Sequence, residues 1–161
     1  MSLSSDLLRE VLHYDPKTGL WTWLVDPARG LKRAGKLAGS IRPDGYRKIT
    51  IAKRHYRSAR LAWLYMTGEW PENDVDHKNR DRSDDRWANL REATRSQNKA
   101  NGPGWGKFKK GVAALGAGRY RAQIMKDGVS YHIGCYDTEA EAHAAYVDKA
   151  KELFGSFYSA E

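Results

Sequence analysis

Cysteine is almost absent from the chain. Cys135 stands alone, which rules out an internal disulfide and any structural zinc site built on paired thiolates. The histidines His13, His55, His77, His132 and His143 show no metal-ligand spacing among themselves, so a catalytic metal must be held mostly by oxygen. No apolar run approaches the roughly 20 residues of a membrane span. The N-terminus lacks the basic-then-apolar layout of a secretory leader. Acidic residues are in deficit: 20 Asp+Glu against 28 Lys+Arg leave a formal charge of +8 and a pI near 9.6. These absences describe a soluble, cytoplasmic protein with no membrane partner, whose leading partner class is an anionic polymer.

The 161 residues fit one ordinary domain or two small ones, and 40% hydrophobic with 11% aromatic residues suffices for packed cores. Ser4 and Ser5 can cap a short helix carrying Leu7, Leu8, Val11 and Leu12. Asp15 to Gly19 is a turn, and Leu20 to Leu24 a strand with Trp21 and Trp23 on one face. Residues 1–40 thus form an N-terminal helix-and-strand packing unit that ends in a Gly-rich basic loop. Tyr46 to Ala52 alternates as a strand. Between Arg42 and Arg60 lie Arg47, Lys48, Lys53, Arg54 and Arg57 with the single acid Asp44, which points to a phosphate-binding surface. Ala59 to Thr67 is a helix closed by Gly68.

Val75 opens the next extended piece, with Asp76 and His77 at the rim of a hairpin, facing an open groove. Lys78 to Arg86 is a polar loop and Asn89 to Ala93 the returning strand. Thr94 or Ser96 caps a following helix, with Gln97 completing a capping box, and Asn98 is expected in its first turn, facing back towards Asp76. Residues 102–110 are the core of a Gly-rich stretch carrying Lys107, Lys109 and Lys110, read as a flexible basic linker and a domain boundary. Residues 111–161 follow as a small three-stranded antiparallel sheet packed on one helix. Arg119, Arg121, Gln123 and Met125 alternate with Tyr120, Ala122 and Ile124, and Asp127-Gly128 turns the chain into a partner strand from Val129. The helix opens with the capping box Thr138 to Glu141 and is expected to bury Ala140, Ala144, Val147, Ala150 and Phe154. Cys135, Trp63 and Trp87 are expected to be packed. The fold class is α+β.

The combination of residues in 74–101 has a chemical reading. Hydrolysing a phosphodiester needs a base for water, a cation for the developing charge and donors that position the phosphate. His77 suits the base, since its ordinary pKa lies near physiological pH. Asp76 and the side-chain oxygen of Asn98 form a hard, sparse ligand set for Mg2+ or Mn2+. Being adjacent on a strand, Asp76 and His77 point in different directions.

The stretch VDHKNRDRSDDRWANLREATRSQNKAN resembles the His-Asn-Asn branch of the HNH endonucleases, a ββα-metal fold common among phage homing endonucleases. The resemblance implies that Asp76 and Asn98 bind the metal, His77 is the catalytic base, and Asn89 braces the hairpin and helps orient His77. It extends upstream through RLAWLYMTGEWPE, making residues 41–101 a nuclease domain, within which Arg91 joins the candidate DNA contacts. Three positions depart from the family pattern: Ala59 where many relatives have His, Asp85 where Asn is usual, and Arg80 near a common Gly. The tail resembles a second family, the plant ethylene-response-factor (APETALA-type) DNA-binding domain. That likeness implies that its sheet enters the major groove, with Arg119, Arg121, Gln123, Lys126 and Tyr131 as contacts on double-stranded DNA.

The sequence therefore describes a metal-dependent DNA endonuclease whose tail selects the site. The rival is a degenerate, non-catalytic DNA-binding regulator that keeps the hairpin as scaffold. One compact metal site cuts one strand at a time, so a double-strand break requires a homodimer or a second turnover.

Overall fold

A computed structural model describes residues 3–27, 29–104 and 106–159. The chain divides into two compact units, Met1–Glu92 and Ala93–Glu161. The division falls earlier than the expected boundary in 102–110, and the helix carrying Asn98 belongs to the second unit. Both units mix helix and strand, as the α+β reading requires. No helix among the described residues is long and apolar enough to cross a membrane.

The first unit begins with α1 (Ser5–Val11), where the Ser4 hydroxyl accepts from Leu7 N at 3.3 Å. Leu12 leaves the helix directly into β1 (Leu12–Asp15), which pairs antiparallel with β2 (Leu20–Trp23) in the register Leu12↔Trp23 to Asp15↔Leu20. The sequence predicted β2 but not β1, because Leu12 completes the helical periodicity and only pairing with β2 gives His13 to Asp15 a partner. Trp21 and Trp23 do share the buried face. The turn between the strands is tied by Asp15, whose carboxylate accepts from Lys17 N and the Thr18 hydroxyl.

A second sheet, in the order β3-β4-β5, uses β3 (Ser40–Ile41), β4 (Arg47–Ile51) and β5 (Arg54–Arg57). Nothing in the polar sequence of β5 marks it as a strand; its pairing with β4 makes it one. The turn joining them places Ala52 at φ +46° and Lys53 at φ +65°, so two side-chain-bearing residues occupy the left-handed region that two-residue hairpins demand. Next, α2 (Ser58–Thr67) buries Ala59, Leu61, Ala62 and Leu64 and ends on Gly68 at φ +87°. β6 (Asp74–His77) and β7 (Leu90–Ala93) form a separate two-stranded sheet. A 3-10 turn, Trp87–Asn89, precedes β7, so Asn89 closes that turn instead of starting the returning strand. The core of this unit joins Leu8, Leu12, Ile49, Leu61, Leu64 and Leu90 to an aromatic group of Tyr14, Trp21 and Tyr65 with ring centroids 4.7 to 5.8 Å apart.

The second unit opens with α3 (Arg95–Asn101), which has the full Thr94/Gln97 capping box. Strands β8 (Val112–Gly116), β9 (Arg119–Lys126) and β10 (Val129–Tyr136) form an antiparallel sheet in the order β10-β9-β8. The helix α4 (Glu139–Phe154), opened by the Thr138/Glu141 capping box, packs across β9 and β10. Its buried stripe is Ala142, Tyr146, Ala150 and Phe154. Ala140 and Ala144, expected inside, are exposed. The helix is rotated so that the large Tyr146 ring is covered, which removes more apolar surface from water than two methyl groups would.

Gly111 shows how closely that ring is held: at φ +79°, a Cβ built on it would meet the Tyr146 ring at 1.9 Å. Gly111→Ala is expected to destabilise the second unit by about 2–4 kcal/mol, combining left-handed strain with overpacking. Urea unfolding followed by circular dichroism measures it.

Candidate active site

The chemistry-bearing residues of the first unit gather at the end of β6. Alternation along the strand sends Asp76 and His77 to opposite sides, yet both are buried, at 6% and 4% exposure. The open rim expected for them is therefore absent. The reason is the loop 78–86, which folds back so that Asp85, only 1% exposed, brings Oδ1 to 2.9 Å from His77 Nε2. Asp76 is engaged as well: its Oδ2 accepts from Arg91 Nε at 2.9 Å and Nη2 at 2.8 Å.

Asp85 is fixed through both backbone and side chain. The Tyr14 hydroxyl donates to its carbonyl oxygen at 2.5 Å, and Arg47 Nε stands 3.9 Å from its Oδ2. Burial first, and then the nearby Asp85 charge, push the Tyr14 phenol well above its ordinary range, so it serves as a permanent donor.

Asn89 is a brace for the loop. Its Oδ1 accepts from Asn79 N, and its Nδ2 donates to Asn79 Oδ1 and to the Asp84 carbonyl, all between 2.8 and 3.0 Å. Within the loop the Asp84 carboxylate accepts from Arg86 Nε, Arg86 Nη2 and Asn79 Nδ2. These bonds, led by Arg86, hold the Asp84 carboxyl down at about 2. Arg80 sits at φ +64°, the backbone that explains why glycine is usual near it.

Beside His77, the Tyr46 ring centroid lies 5.9 Å from the imidazole. The Arg57 and Arg82 guanidinium carbons lie 4.3 and 5.1 Å from that ring, and Arg82 also donates to the Asp44 carbonyl. Tyr46, Tyr14, Arg82 and Asn79 were not singled out by sequence reading, and Asp85 was noted only as a departure. An acid doubled as Asp84-Asp85 in a loop rich in Arg was the one available signal.

The remaining expected contacts are distributed as follows. Lys48, Lys53 and Arg54 lie on the β4–β5 hairpin. Arg47 and Arg91 turn inward instead, to Asp85 and Asp76, with side chains 18% and 13% exposed. Lys107 and Lys109 are exposed, whereas Lys110 donates to the Ala100 and Gly102 carbonyls and lies beneath Tyr158.

On the second unit's sheet, the register pairs His132 with Gln123, Ser130 with Met125 and Cys135 with Arg121. Opposed residues share a face, so His132 and Ser130 join Arg119, Arg121 and Gln123 on the outer side, away from α4. Tyr131 opposes the buried Ile124 yet is itself exposed, and Lys126 donates to the Leu153 carbonyl at 3.1 Å beside Phe154. Cys135, expected to be packed, is exposed. Asn98 lies on α3.

In chemical terms, Asp76 offers a hard carboxylate, and no group of three or more His, Cys, Asp or Glu among the described residues could hold a metal. Such a donor set does not fit a closed protein cage. A hard cation beside Asp76 would need water and phosphate oxygens to complete its shell.

Within the segment that carries this arrangement, residues 57–100 match the family model described as HNH endonuclease. A curated relative, an uncharacterized HNH endonuclease of Acanthamoeba polyphaga mimivirus, is 36% identical over 95 residues, covering 58% of this chain. The chain spans about half the length of that relative, 50%. No solved structure matches. Both matches make that stretch similar to HNH endonucleases.

The Asp84 network has a pH signature. Because its folded pKa lies below the unfolded value of about 3.9, the carboxylate stabilises the fold at neutral pH, and that contribution disappears as pH falls through about 2. Asp84→Asn is expected to be less stable than the parent at pH 7, with the gap closing between about pH 4 and pH 2. Thermal melts across that range check it.

Proposed function

We propose that the chain is a metal-dependent DNA endonuclease of the HNH homing type, with its site selected by the second unit. The observation that carries this reading is the consecutive Asp76-His77 at the end of β6, with His77 held by a buried carboxylate, inside the segment matching the HNH family. His77 removes the proton from the attacking water. Asp76 is the carboxylate ligand of a divalent ion, Mg2+ first and Mn2+ second, and Asn98 is its partner on the strength of sequence spacing alone. When bound, that ion would neutralise charge building on the phosphate and the leaving oxygen. Asn89 keeps the loop in place around His77. Arg57, Lys48, Lys53 and Arg54 receive backbone phosphates, and Arg119, Arg121 and Gln123 meet base edges in double-stranded DNA. Cleavage of both strands then needs a homodimer or two turnovers. Phage and mobile-element biology, in a bacterial cytoplasm, is the setting that this reading implies.

A second reading has its own observation: Arg91 already occupies one oxygen of Asp76, and both Asp76 and His77 are buried. This favours a DNA-binding regulator that has kept the nuclease scaffold. A supercoiled-plasmid assay in Mg2+ separates the two. The nuclease reading expects nicked circles from the parent and at least roughly 100-fold slower nicking from His77→Ala; absence of nicking by both would leave only the regulator.

The role of the tail is tested separately by gel-shift titration of Arg119→Ala/Arg121→Ala. An expected loss of about tenfold or more in affinity, with a shallower salt dependence, follows from removing two cationic contacts. Unchanged binding would remove the tail from the interface.

A further inference from the structure

We infer that Asp85 is a positioning residue for His77, and that the β1–β2 hairpin, far away in sequence, holds Asp85 in place. Any catalytic consequence rests on the nuclease reading; the positioning itself does not.

A carboxylate that is 1% exposed must find partners inside the protein, since an unpaired buried charge is costly. Asp85 finds two of unequal kind. One oxygen accepts from His77 Nε2 at 2.9 Å. The other is 3.9 Å from Arg47 Nε, and these two atoms make no hydrogen bond in the structure. Arg47 therefore balances the charge from a distance while His77 alone takes the directed bond.

The backbone around Asp85 is clamped by the turn between β1 and β2. Tyr14 OH donates to the Asp85 carbonyl at 2.5 Å, and Trp87 N donates to the Pro16 carbonyl at 3.0 Å. Gly19, at φ +72°, lies so close that an added Cβ would stand 2.5 Å from both Asp85 C and Arg86 N. Two hydrogen bonds and a close approach thus fix the segment from which the carboxylate reaches inward. The N-terminal hairpin is not only packing; it is the outer support of the His77 site.

The directed bond has a chemical effect. A carboxylate only accepts, so neutral His77 must carry its proton on Nε2, which makes Nδ1 the basic nitrogen and fixes the ring plane. An amide at position 85 can still accept from Nε2–H through its oxygen, whereas a methyl group cannot. Asp85→Asn is thus the conservative variant and Asp85→Ala the disruptive one.

The test uses the full-length chain with 15N-labelled histidine. Long-range proton–nitrogen spectra of neutral His77 are expected to show Nε2–H in the parent and in Asp85→Asn, and a mixture of tautomers in Asp85→Ala. Tyr14→Phe, which keeps the ring but loses the clamp, is expected to shift the same signals part of the way. In plasmid nicking, Asp85→Ala is expected to lower kcat about tenfold or more with little change in KM, and Asp85→Asn to recover most of it. A parent His77 protonated on Nδ1, or an Asp85→Ala protein with unchanged tautomer and kcat, overturns the positioning role. Should Asp85→Ala fail to fold, Tyr14→Phe decides: unchanged signals and rate refute the clamp. A tautomer shift without any nicking by the parent upholds the positioning and rejects the nuclease reading, so the two failures are distinguishable.

Discussion

One buried carboxylate governs the first unit. Asp85 is placed where no charged group stays without compensation, and each neighbouring feature meets one of its needs: His77 for a hydrogen bond, Arg47 for opposite charge, Tyr14 for the carbonyl behind it. The loop 78–86 must fold inward to deliver it, and that inward fold is what Asn89 and Asp84 secure from within. The aromatic core beneath is tied to it, because the Tyr14 ring packs at a tilt against Trp21 while its hydroxyl turns to Asp85. Apolar packing and the polar site share one set of residues.

Much of the fold could be read in the sequence. Both capping boxes, the Gly68 stop and the Asp127-Gly128 turn are local signals, and local signals survive because they depend on neighbours within a few residues. Strands β1 and β5 were not legible: His13 to Asp15 and Arg54 to Arg57 become strands only through partners supplied elsewhere. The rotation of α4 about its axis escaped for a similar reason, since Tyr146 and Ala144 compete for the sheet and only packing decides between them.

In the candidate site, residue type and spacing singled out His77, Asp76 and Asn89, but not their surroundings. Arg91 and Arg47 illustrate the limit. Both belong to a basic composition that reads as phosphate-binding, yet each is consumed by a buried acid. Conversely, Asp85 looked like a departure from a pattern in a solvated loop, yet it is buried, with its carbonyl bonded to Tyr14 and the nearby Trp87 N–H bonded to Pro16, some seventy residues earlier. Charge counted along the chain cannot distinguish a cation that faces solvent from one that balances an interior carboxylate.

The lone thiol acquires practical value from where it lies. Cys135 is exposed and sits opposite Arg121 on β10, on the same side as Arg119, Gln123 and His132. With no second cysteine in the chain, a maleimide dye can attach at this position alone. Fluorescence from such a label would report directly when a ligand covers that face, without any substitution in the chain.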